Sequence, residues 1–255
     1  MAEYYFAGST DLGYKRTVNE DYMNVVQLSN DCIFAVIADG MGSLPSDLQP
    51  ANIVCTDLCD AVRDIYNNDP DFLLDNAEQI LHMLVRNTNR VIGAFKKANE
   101  ELYAGFGSTV TCCLFAPDHN MTLAHVGNSR LYMIRNVRGA PNIKSLTTDH
   151  TKAKELLAQG IIADEEYYTH PERGKLTSCL GFVTDPTIQI MSAPIKKEDI
   201  FFLTTDGIHC AVRPEAMLEI VLRSDNCKTA VDNLIFAAKS QEYPDNMSSI
   251  VIFVQ

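Results

Sequence analysis

The sequence predicts an α+β fold built in layers, on three observations. Apolar, β-branched segments typical of strands come in groups and do not alternate one by one with helices. The helical segments come in consecutive pairs, at residues 52–66 and 80–95 and again at 214–222 and 228–239. The chain contains neither an internal repeat nor a linker rich in Pro, Gly or Ser. Because a doubly wound parallel sheet needs regular strand–helix alternation, these observations favour one layered domain over residues 1–255.

The predicted strands are short apolar runs bounded by turn residues. They cover residues 22–26, 32–38, 109–115, 121–126, 131–134, 200–203 and 250–254. The third is rich in β-branched side chains and stops before Pro117. Gly127 and Asn128 form a tight connection between the fourth and fifth strands. We therefore predict that these two strands pair with each other as a meander.

The helical segments are recognised by apolar residues three or four positions apart. Ile80, Leu84 and Thr88 show this spacing in one helix, and Val54, Leu58 and Val62 show it in the preceding one. Only the short break at residues 68–71 separates the two. We expect an antiparallel helix pair lying on a sheet, with a second pair near the C-terminus.

Composition excludes several classes of protein. The 255 residues are 46% hydrophobic and 21% charged, which is a globular composition with enough apolar surface for a large core. There are 21 basic against 33 acidic residues, a formal net charge of −12. Because such a surface repels phosphate backbones, we expect no nucleic-acid partner and favour divalent cations or partners with basic patches.

The location of the protein is predicted from its apolar segments and its cysteines. No stretch reaches the ~20 apolar residues of a membrane span, and the N-terminus lacks the pattern of a signal peptide. The eight cysteines lack the spacing of zinc ligands, so we interpret them as buried, reduced thiols. These observations predict a cytoplasmic protein that does not contact a membrane.

Acidic residues stand at the ends of several predicted strands. Asp39 and Asp206 directly follow apolar strands, Asp245 precedes the last strand, and Glu20 and Asp21 precede another. Taken singly, an Asp-Gly pair is typical of a turn, and two adjacent acids are typical of a solvated surface. Strand ends at one rim of a sheet would, however, bring these carboxylates together, where they would repel each other unless a cation neutralised them. Oxygen ligands of this kind suit Mg²⁺ or Mn²⁺.

The sequence resembles the metal-dependent serine/threonine protein phosphatases of the protein phosphatase 2C family, in particular their bacterial members. The motifs that carry the resemblance occur in the expected order at residues 9–21, 38–42, 105–110, 126–132, 146–151, 176–181, 204–208 and 245–251. The resemblance implies four layers, α/β/β/α, in which a central antiparallel β-sandwich is flanked by pairs of antiparallel helices. It also implies a metal cleft at one end of the sandwich.

The resemblance implies roles for individual residues. Asp39 would bridge two Mn²⁺ or Mg²⁺ ions, and the carbonyl of Gly40 would bind one of them. Asp206 and Asp245 would hold the second ion. Glu20 and Asp21 would contact the ions directly or through water. Arg16 would bind the substrate phosphate; alternatively, it is a surface arginine paired with a nearby acid.

The implied reaction is hydrolysis of phosphoserine and phosphothreonine in proteins by a metal-activated water, without a covalent phosphoenzyme. Phosphorylated proteins in signal transduction, including a cognate protein kinase, would be the partners of a monomeric enzyme. His125 lies within an apolar strand and is interpreted as a hydrogen-bonded core residue, and His150 as a structural one.

Three departures from the family pattern bear on activity. Asn128 stands where the family usually has the Asp that helps to bind a third, weaker metal ion, so we expect that ion to bind less well. Met41 replaces a histidine found in some relatives and cannot donate a proton. Residues 43–50 replace a turn that is usually rich in Gly and Ala. The first and third departures motivate an alternative function, a phosphatase-like regulatory or binding module with low activity.

Overall fold

Two antiparallel sheets form the centre of the molecule. The computed structural model describes residues 3–42, 48–118 and 120–255. The first sheet, sheet I, contains in spatial order β1 (Tyr4–Asp11), β11 (Met247–Val254), β10 (Ile200–Thr204), β7 (Arg130–Val137) and β8 (Ala140–Ser145). Sheet II contains β2 (Asp21–Ser29), β3 (Cys32–Met41), β5 (Val110–Phe115), β6 (Asn120–Val126) and β9 (Gln189–Pro194), with the short β4 (Gly107–Ser108) paired to the end of β3.

Helices cover the outer face of each sheet. Sheet II is covered by α1 (Pro50–Asn68), α2 (Pro70–Asp75) and α3 (Ala77–Ala98), and sheet I by α6 (Asp206–His209), α7 (Pro214–Leu222) and α8 (Cys227–Lys239). Between β8 and β9 the chain forms the short helices α4 (Lys152–Ala158) and α5 (Asp164–Tyr167). The predicted α+β fold class, with a sandwich between two helical layers, is confirmed.

The core consists of three apolar layers, and β3 contributes to two of them. Ile33, Ala35 and Ile37 pack between the two sheets. Phe34 and Val36 point the other way, toward α1 and α3. Successive side chains of a strand face opposite sides, so a strand buried on both faces must be apolar at every position. This explains the uninterrupted apolar run that predicted β3.

Cysteine burial follows the same alternation. Cys112 packs in the layer under the helices and Cys113 in the layer between the sheets, as expected for neighbours on a strand. All eight cysteines are free, and seven of them are buried; Cys210 is half-buried. None of the helices formed by the described residues combines the length and the apolar character that a membrane crossing needs.

The predicted meander is wrong. β6 pairs with β5 and β9 in sheet II, whereas β7 pairs with β10 and β8 in sheet I. The turn between them carries the chain from one sheet to the other, with Gly127 at φ 107°. A Cβ at Gly127 would lie 2.6 Å from a methyl carbon of Thr109. A tight turn is therefore compatible with a connection between the two sheets as well as with a hairpin within one sheet.

Other differences concern element ends. The strand expected to stop before Asp39 continues to Met41, so Asp39 lies within β3. The predicted break at residues 68–71 contains the start of α2, whose N-cap is the side chain of Asp69. Strands β1, β4, β8 and β9 and helices α2, α4, α5 and α6 were not predicted. In the segment 43–50, residues 43–47 lie outside the described residues, and Pro50 begins α1.

Candidate metal centre

Two acidic residues face each other across the first strand pair of sheet II. Asp21 is the first residue of β2, and in the antiparallel register it lies directly opposite Asp39 of β3. Like charges in this position destabilise a strand pair. Asp39 is held in place by its backbone: its N–H donates to Thr109 Oγ1 at 2.8 Å, and its carbonyl accepts from Thr109 N at 2.9 Å. The two carboxylates are thus fixed close together at one end of the sandwich.

Sheet I brings two further aspartates to the same end. Asp206 follows β10 as the first residue of α6, and Asp245 precedes β11, which is the neighbour of β10 in the sheet. Thr205 Oγ1 donates a 2.7 Å hydrogen bond to Asp21 Oδ2 and accepts one of 3.1 Å from Ser248 N. Thr205 therefore ties the start of β2 to the strand ends of the other sheet.

The pKa values of these aspartates are raised by burial and by the charges of their acidic neighbours. Burial, followed by the charge of Asp206 and then of Asp21, raises the pKa of Asp39 well above its usual range. Burial is also the main cause that raises the pKa of Asp21 to about 7. For Asp206, burial and then the charge of Asp245 raise the pKa to about 6. Because one charge disfavours the next, the cluster favours a bound cation or proton.

The loop that carries Glu20 is attached to the site by a residue that sequence reasoning missed. Asn246 is buried, and its Oδ1 accepts the Glu20 N–H at 2.9 Å. Its Nδ2 donates to the carbonyls of Leu12 and Val18 at 2.9 and 3.1 Å. The backbone carbonyl of Glu20 in turn accepts the Gly40 N–H at 3.0 Å. The signal was available, because Asn246 follows Asp245 in the last motif.

A glycine lets this loop approach closely. Gly13 has φ 79°, and a Cβ there would lie 1.9 Å from the carbonyl oxygen of Asp245. A side chain at this position would therefore displace the backbone of Asp245. The loop between β1 and β2 is consequently packed against Asp245, two residues before the start of β11.

Arg16 extends from this loop to Asp245. Its Nε and one terminal nitrogen lie 2.9 and 2.8 Å from Asp245 Oδ1. The Arg16 side chain is 45% exposed and that of Asp245 26% exposed, so both remain accessible from the cleft. The structure thus places Arg16 at the cleft in an ion pair, as the alternative interpretation of this residue expected, and beside the carboxylates, as the phosphate-binding role requires.

Asn128 lies in the turn between β6 and β7, against Asp206. It is buried, and its Nδ2 donates a 3.0 Å hydrogen bond to Asp206 Oδ2. This bond lowers the pKa of Asp206, against the larger effects of burial and Asp245. Among the described residues, Asn128 Oδ1 is the buried side-chain oxygen that has no hydrogen-bond partner.

The donor set suits a hard divalent cation. It consists of carboxylate oxygens, together with the unpartnered carbonyl oxygen of Asn128 beside Asp206. Within residues 3–42, 48–118 and 120–255, no three His, Cys, Asp or Glu side chains come close enough together to hold a metal ion on their own. Mg²⁺ usually binds one or two carboxylates and keeps several waters, so carboxylates that approach in pairs remain a suitable site.

The histidines near the cleft have structural roles. His125 is fully buried, with Nδ1 2.9 Å from Thr111 Oγ1 and Nε2 3.2 Å from the carbonyl of Thr148. His150 Nδ1 accepts the Gly127 N–H at 3.1 Å. Both interpretations made from the sequence are confirmed. His209, which sequence reasoning did not single out, is buried with Nδ1 2.9 Å from Thr204 Oγ1.

Comparison with known proteins identifies the family of this chain. The sequence profile of the family described as "Protein phosphatase 2C" matches residues 13–232. The serine/threonine phosphatase stp of Listeria innocua is 28% identical over 247 residues, covering 95% of this chain and 93% of the relative.

Solved structures show the same fold. Serine/threonine phosphatase Stp1 from Staphylococcus aureus superposes with a TM-score of 0.85 at 24% identity, covering 100% of this chain and 96% of the other. The catalytic domain of the serine/threonine protein phosphatase PstP, solved with two manganese ions, superposes with a TM-score of 0.77 at 26% identity, covering 100% and 99%. The resemblance inferred from the motifs is confirmed: the chain belongs to the protein phosphatase 2C family, whose members are metal-dependent serine/threonine protein phosphatases.

Proposed function

We propose that this chain hydrolyses phosphoserine and phosphothreonine in proteins at a centre for two Mn²⁺ or Mg²⁺ ions. The observation that carries the proposal is the meeting of acidic residues from both sheets: Asp21 lies directly opposite Asp39, and Thr205, the neighbour of Asp206, donates a hydrogen bond to Asp21. Burial, followed by the charges of Asp206 and Asp21, raises the pKa of Asp39, so its ionised form is unfavourable without a cation. The manganese-bound relative supports the choice of ion.

In this proposal Asp39 would be a ligand of both ions, and the carbonyl of Gly40 would be a ligand of one of them. Asp206 and Asp245 would hold the second ion, and Glu20 and Asp21 would bind directly or through water. When bound, the ions supply the positive charge that lowers the pKa of the attacking water and neutralises the phosphate. The protein contributes the fixed positions: Thr109 holds the backbone of Asp39, and Thr205 orients the carboxylate of Asp21.

Arg16 binds the substrate phosphate. Its guanidinium presents N–H donors in a planar fork that matches two phosphate oxygens. Because Arg16 is 45% exposed and contacts Asp245 at the cleft, a phosphate above the metal centre can accept hydrogen bonds from its N–H groups. The charge of Arg16 also partly offsets that of Asp245, so phosphate and carboxylate share one cation.

Water is the nucleophile in this mechanism, and the cysteines support that choice. Burial raises the pKa of the Cys55 and Cys113 thiols well above the usual range, and that of Cys210 to about 12. A thiol attacks phosphorus only as the thiolate, and a raised pKa keeps these thiols protonated at neutral pH. The proposed mechanism therefore contains no covalent cysteinyl phosphate.

The substrates are phosphorylated proteins, including a cognate protein kinase, in cytoplasmic signal transduction. The net charge of −12 disfavours nucleic acid as a partner. We propose one catalytic domain over residues 1–255 that acts as a monomer. A third, weaker ion would lie beside Asn128, whose Oδ1 supplies an oxygen without charge.

The test is hydrolysis of an aryl phosphate and of a phosphothreonine peptide with EDTA, Mn²⁺ or Mg²⁺. We expect turnover with either cation and none with EDTA, and calorimetric titration should show two cations per chain. Asp225→Asn, which alters an exposed acid, controls for loss of charge. Metal binding without turnover would contradict the enzymatic proposal.

The alternative function is a phosphatase-like module that binds phosphoproteins with little turnover. The hydrogen bond from Asn128 to Asp206 favours it, because the amide occupies one oxygen of a proposed metal ligand. Phosphopeptide binding at a metal concentration that gives no turnover would support this alternative. Turnover that rises with metal would exclude it.

A further inference from the structure

Helix α3 carries a run of basic residues on an otherwise acidic protein. Residues 79–99 contain Arg86, Arg90, Lys96 and Lys97 and no Asp or Glu, whereas the whole chain has a net charge of −12. Arg90 and Lys97 are exposed. A local positive surface on an acidic molecule attracts anionic partners to that place.

These residues border a groove on the surface. The groove, which we call the α3 groove, has a volume of about 360 Å³. Its walls combine the cationic side chains of Arg90, Lys96 and Lys97 with the apolar side chains of Phe182 and Val183. The two apolar side chains are 47% and 37% exposed, and Lys96 Nζ lies 3.7 Å from the centre of the Phe182 ring. The groove therefore offers both apolar and positive surface.

A buried asparagine fixes the shape of the groove. Asn89 of α3 accepts the Gly181 N–H at 2.8 Å and donates to the carbonyls of Val183 and Thr184 at 3.0 and 3.2 Å. Asn89 is only 5% exposed. The segment that carries Phe182 is thus attached to α3 by three hydrogen bonds, and the two walls keep their relative position.

The groove lies next to the metal centre. The Phe182 ring covers Gly107, where a Cβ would lie 2.4 Å from a ring carbon. In β4, Gly107 pairs with Met41, and the next residue, Ser108, pairs with Gly40. Ser108 Oγ donates to the carbonyl of Asp39 at 3.1 Å. Asp39 lies two residues before Met41 on β3, and Met41 pairs with Gly107 on the neighbouring strand β4. Gly107 and Asp39 are therefore roughly 5–10 Å apart.

The charges of the groove are not neutralised by the protein itself. Arg86 pairs with Asp185 at 2.9 Å, beyond the groove walls. Arg90 donates to the neutral side chain of Asn87 at 3.0 Å. In the part of the chain that the structure describes, no carboxylate lies within 4.0 Å of the basic groups of Arg90, Lys96 or Lys97. These three cations are therefore available to an acidic ligand.

We propose that the α3 groove binds an acidic segment of the phosphoprotein substrate, next to the phosphorylated residue in the cleft. This inference rests on the proposed phosphatase function and adds a class of preferred substrate. An extended peptide advances ~3.3 Å per residue. Aspartate or glutamate at roughly three to six residues from the phosphorylated side chain would reach Arg90 and Lys97, while an apolar side chain of the peptide contacts Phe182.

The experiment compares two phosphothreonine peptides that differ only in carrying three glutamates or three glutamines at these positions. The variant is Arg90→Glu combined with Lys97→Glu. The control is Lys144→Glu combined with Lys197→Glu, which makes the same change of net charge at exposed positions of β8 and of the turn before β10. That turn lies at the end of β10 opposite Asp206. An aryl phosphate, which has no flanking residues, reports on the metal centre alone.

We expect wild type and control to have a kcat/KM roughly tenfold higher for the glutamate peptide, and the variant to lose this preference. The preference should shrink at 0.5 M NaCl, where exposed charges are screened. Aryl phosphate turnover should be equal in all three proteins. Equal kcat/KM for the two peptides in wild type overturns the inference, as does a preference that survives in the variant. Absence of aryl phosphate turnover in wild type would instead count against the proposed function.

A different anion would also overturn the inference. Binding to phosphatidylserine vesicles is measured by sedimentation and binding to RNA by fluorescence anisotropy, at the same salt concentration. If the variant loses either kind of binding while it keeps the peptide preference, the groove binds a membrane or a nucleic acid.

Discussion

The side-chain amide of Asn128 donates a 3.0 Å hydrogen bond to Oδ2 of Asp206. A carboxylate accepts hydrogen bonds, so the amide nitrogen must face it and the amide oxygen must point away. That oxygen is buried and, within the described residues, has no partner. Asn128 therefore stabilises the charge of Asp206 and keeps a neutral, unpartnered oxygen on its other side.

Asn128→Asp should have opposite effects without and with metal. In EDTA the new carboxylate faces Asp206 without a donor between them, so we expect a lower melting temperature than in wild type. At millimolar Mn²⁺ or Mg²⁺ a carboxylate binds the cation better than an amide does, and we expect a higher kcat than in wild type. Melting curves and metal titrations of both proteins test this. Absence of any metal-dependent gain would show that the site is adapted to Asn128 and that the third-ion account is wrong.

Asp39→Asn should abolish turnover and leave the fold intact. The substitution removes a buried carboxylate whose pKa is raised by burial and then by the charges of Asp206 and Asp21, so repulsion in the metal-free cleft decreases. We expect a higher melting temperature in EDTA and loss of the stabilisation that Mn²⁺ gives the wild type. Differential scanning calorimetry measures both. Asp225→Asn is the matched control, and near-wild-type turnover of Asp39→Asn at saturating Mn²⁺ would rule out the dinuclear assignment.

Arg16→Ala should raise the KM for phosphopeptides more than it lowers kcat. In the proposed function it removes a cation that binds phosphate before the chemical step. A charged hydrogen-bonded contact of this kind contributes about 1.5–3 kcal/mol, or roughly 10- to 150-fold in KM. The control is Arg63→Ala, which breaks the exposed ion pair with Asp60 on α1. An unchanged KM would mean that Arg16 serves only the ion pair with Asp245.

Buried histidines predict a loss of stability in weak acid. Burial is the main cause that lowers the pKa of His125 to about 3, and it also lowers the pKa of His209. Below about pH 6.5 the unfolded chain binds a proton at a histidine that stays neutral in the folded protein. The contribution of this histidine to the free energy of unfolding is therefore complete above pH 6.5 and is lost as the pH falls. Between pH 7 and pH 5 this amounts to about 2 kcal/mol for His125.

The variant His125→Gln isolates this effect. It should be less stable than wild type at pH 7, because Thr111 and Thr148 lose an aligned partner, but its free energy of unfolding should fall less between pH 7 and pH 5. Urea denaturation at the two pH values gives the difference, and His82→Gln on α3 controls for the loss of an imidazole. An identical pH dependence in wild type and His125→Gln would contradict the assignment.

Local patterns predicted most of the elements that form the layers. The predicted elements that the structure contains are helices α1, α3, α7 and α8 and strands β2, β3, β5, β6, β7, β10 and β11. The missed strands β1, β8 and β9 lie at the edges of their sheets, where one side of a strand faces solvent, and their side chains are mixed and carry little pattern. The remaining edge strand, β2, was predicted from its more apolar residues 22–26.

The residues of the candidate site were also predicted only in part from the sequence. The acidic residues at strand ends, Arg16 and the departure at Asn128 are all visible in the sequence, because several carboxylates share the same position relative to strands and the motifs occur in order. Asn246 was missed because its role is to hold the backbone of a loop more than 200 residues away in sequence. Its place after Asp245 in the last motif marked the residue, but nothing in the local sequence indicated that contact.

The sequence by itself thus determined the class of fold, the family and the set of acidic residues, since these depend on residue type, spacing and order along the chain. Only the tertiary structure decided which sheet each strand joins, that Asp21 lies opposite Asp39, that Asn128 donates to Asp206, and that basic side chains of α3 line a groove together with Phe182 and Val183. Such relationships depend on strand register and on contacts between distant segments. A tight turn at Gly127 is compatible with a hairpin or with a crossing between sheets, and the choice is made by the burial and hydrogen bonding of all the strands together.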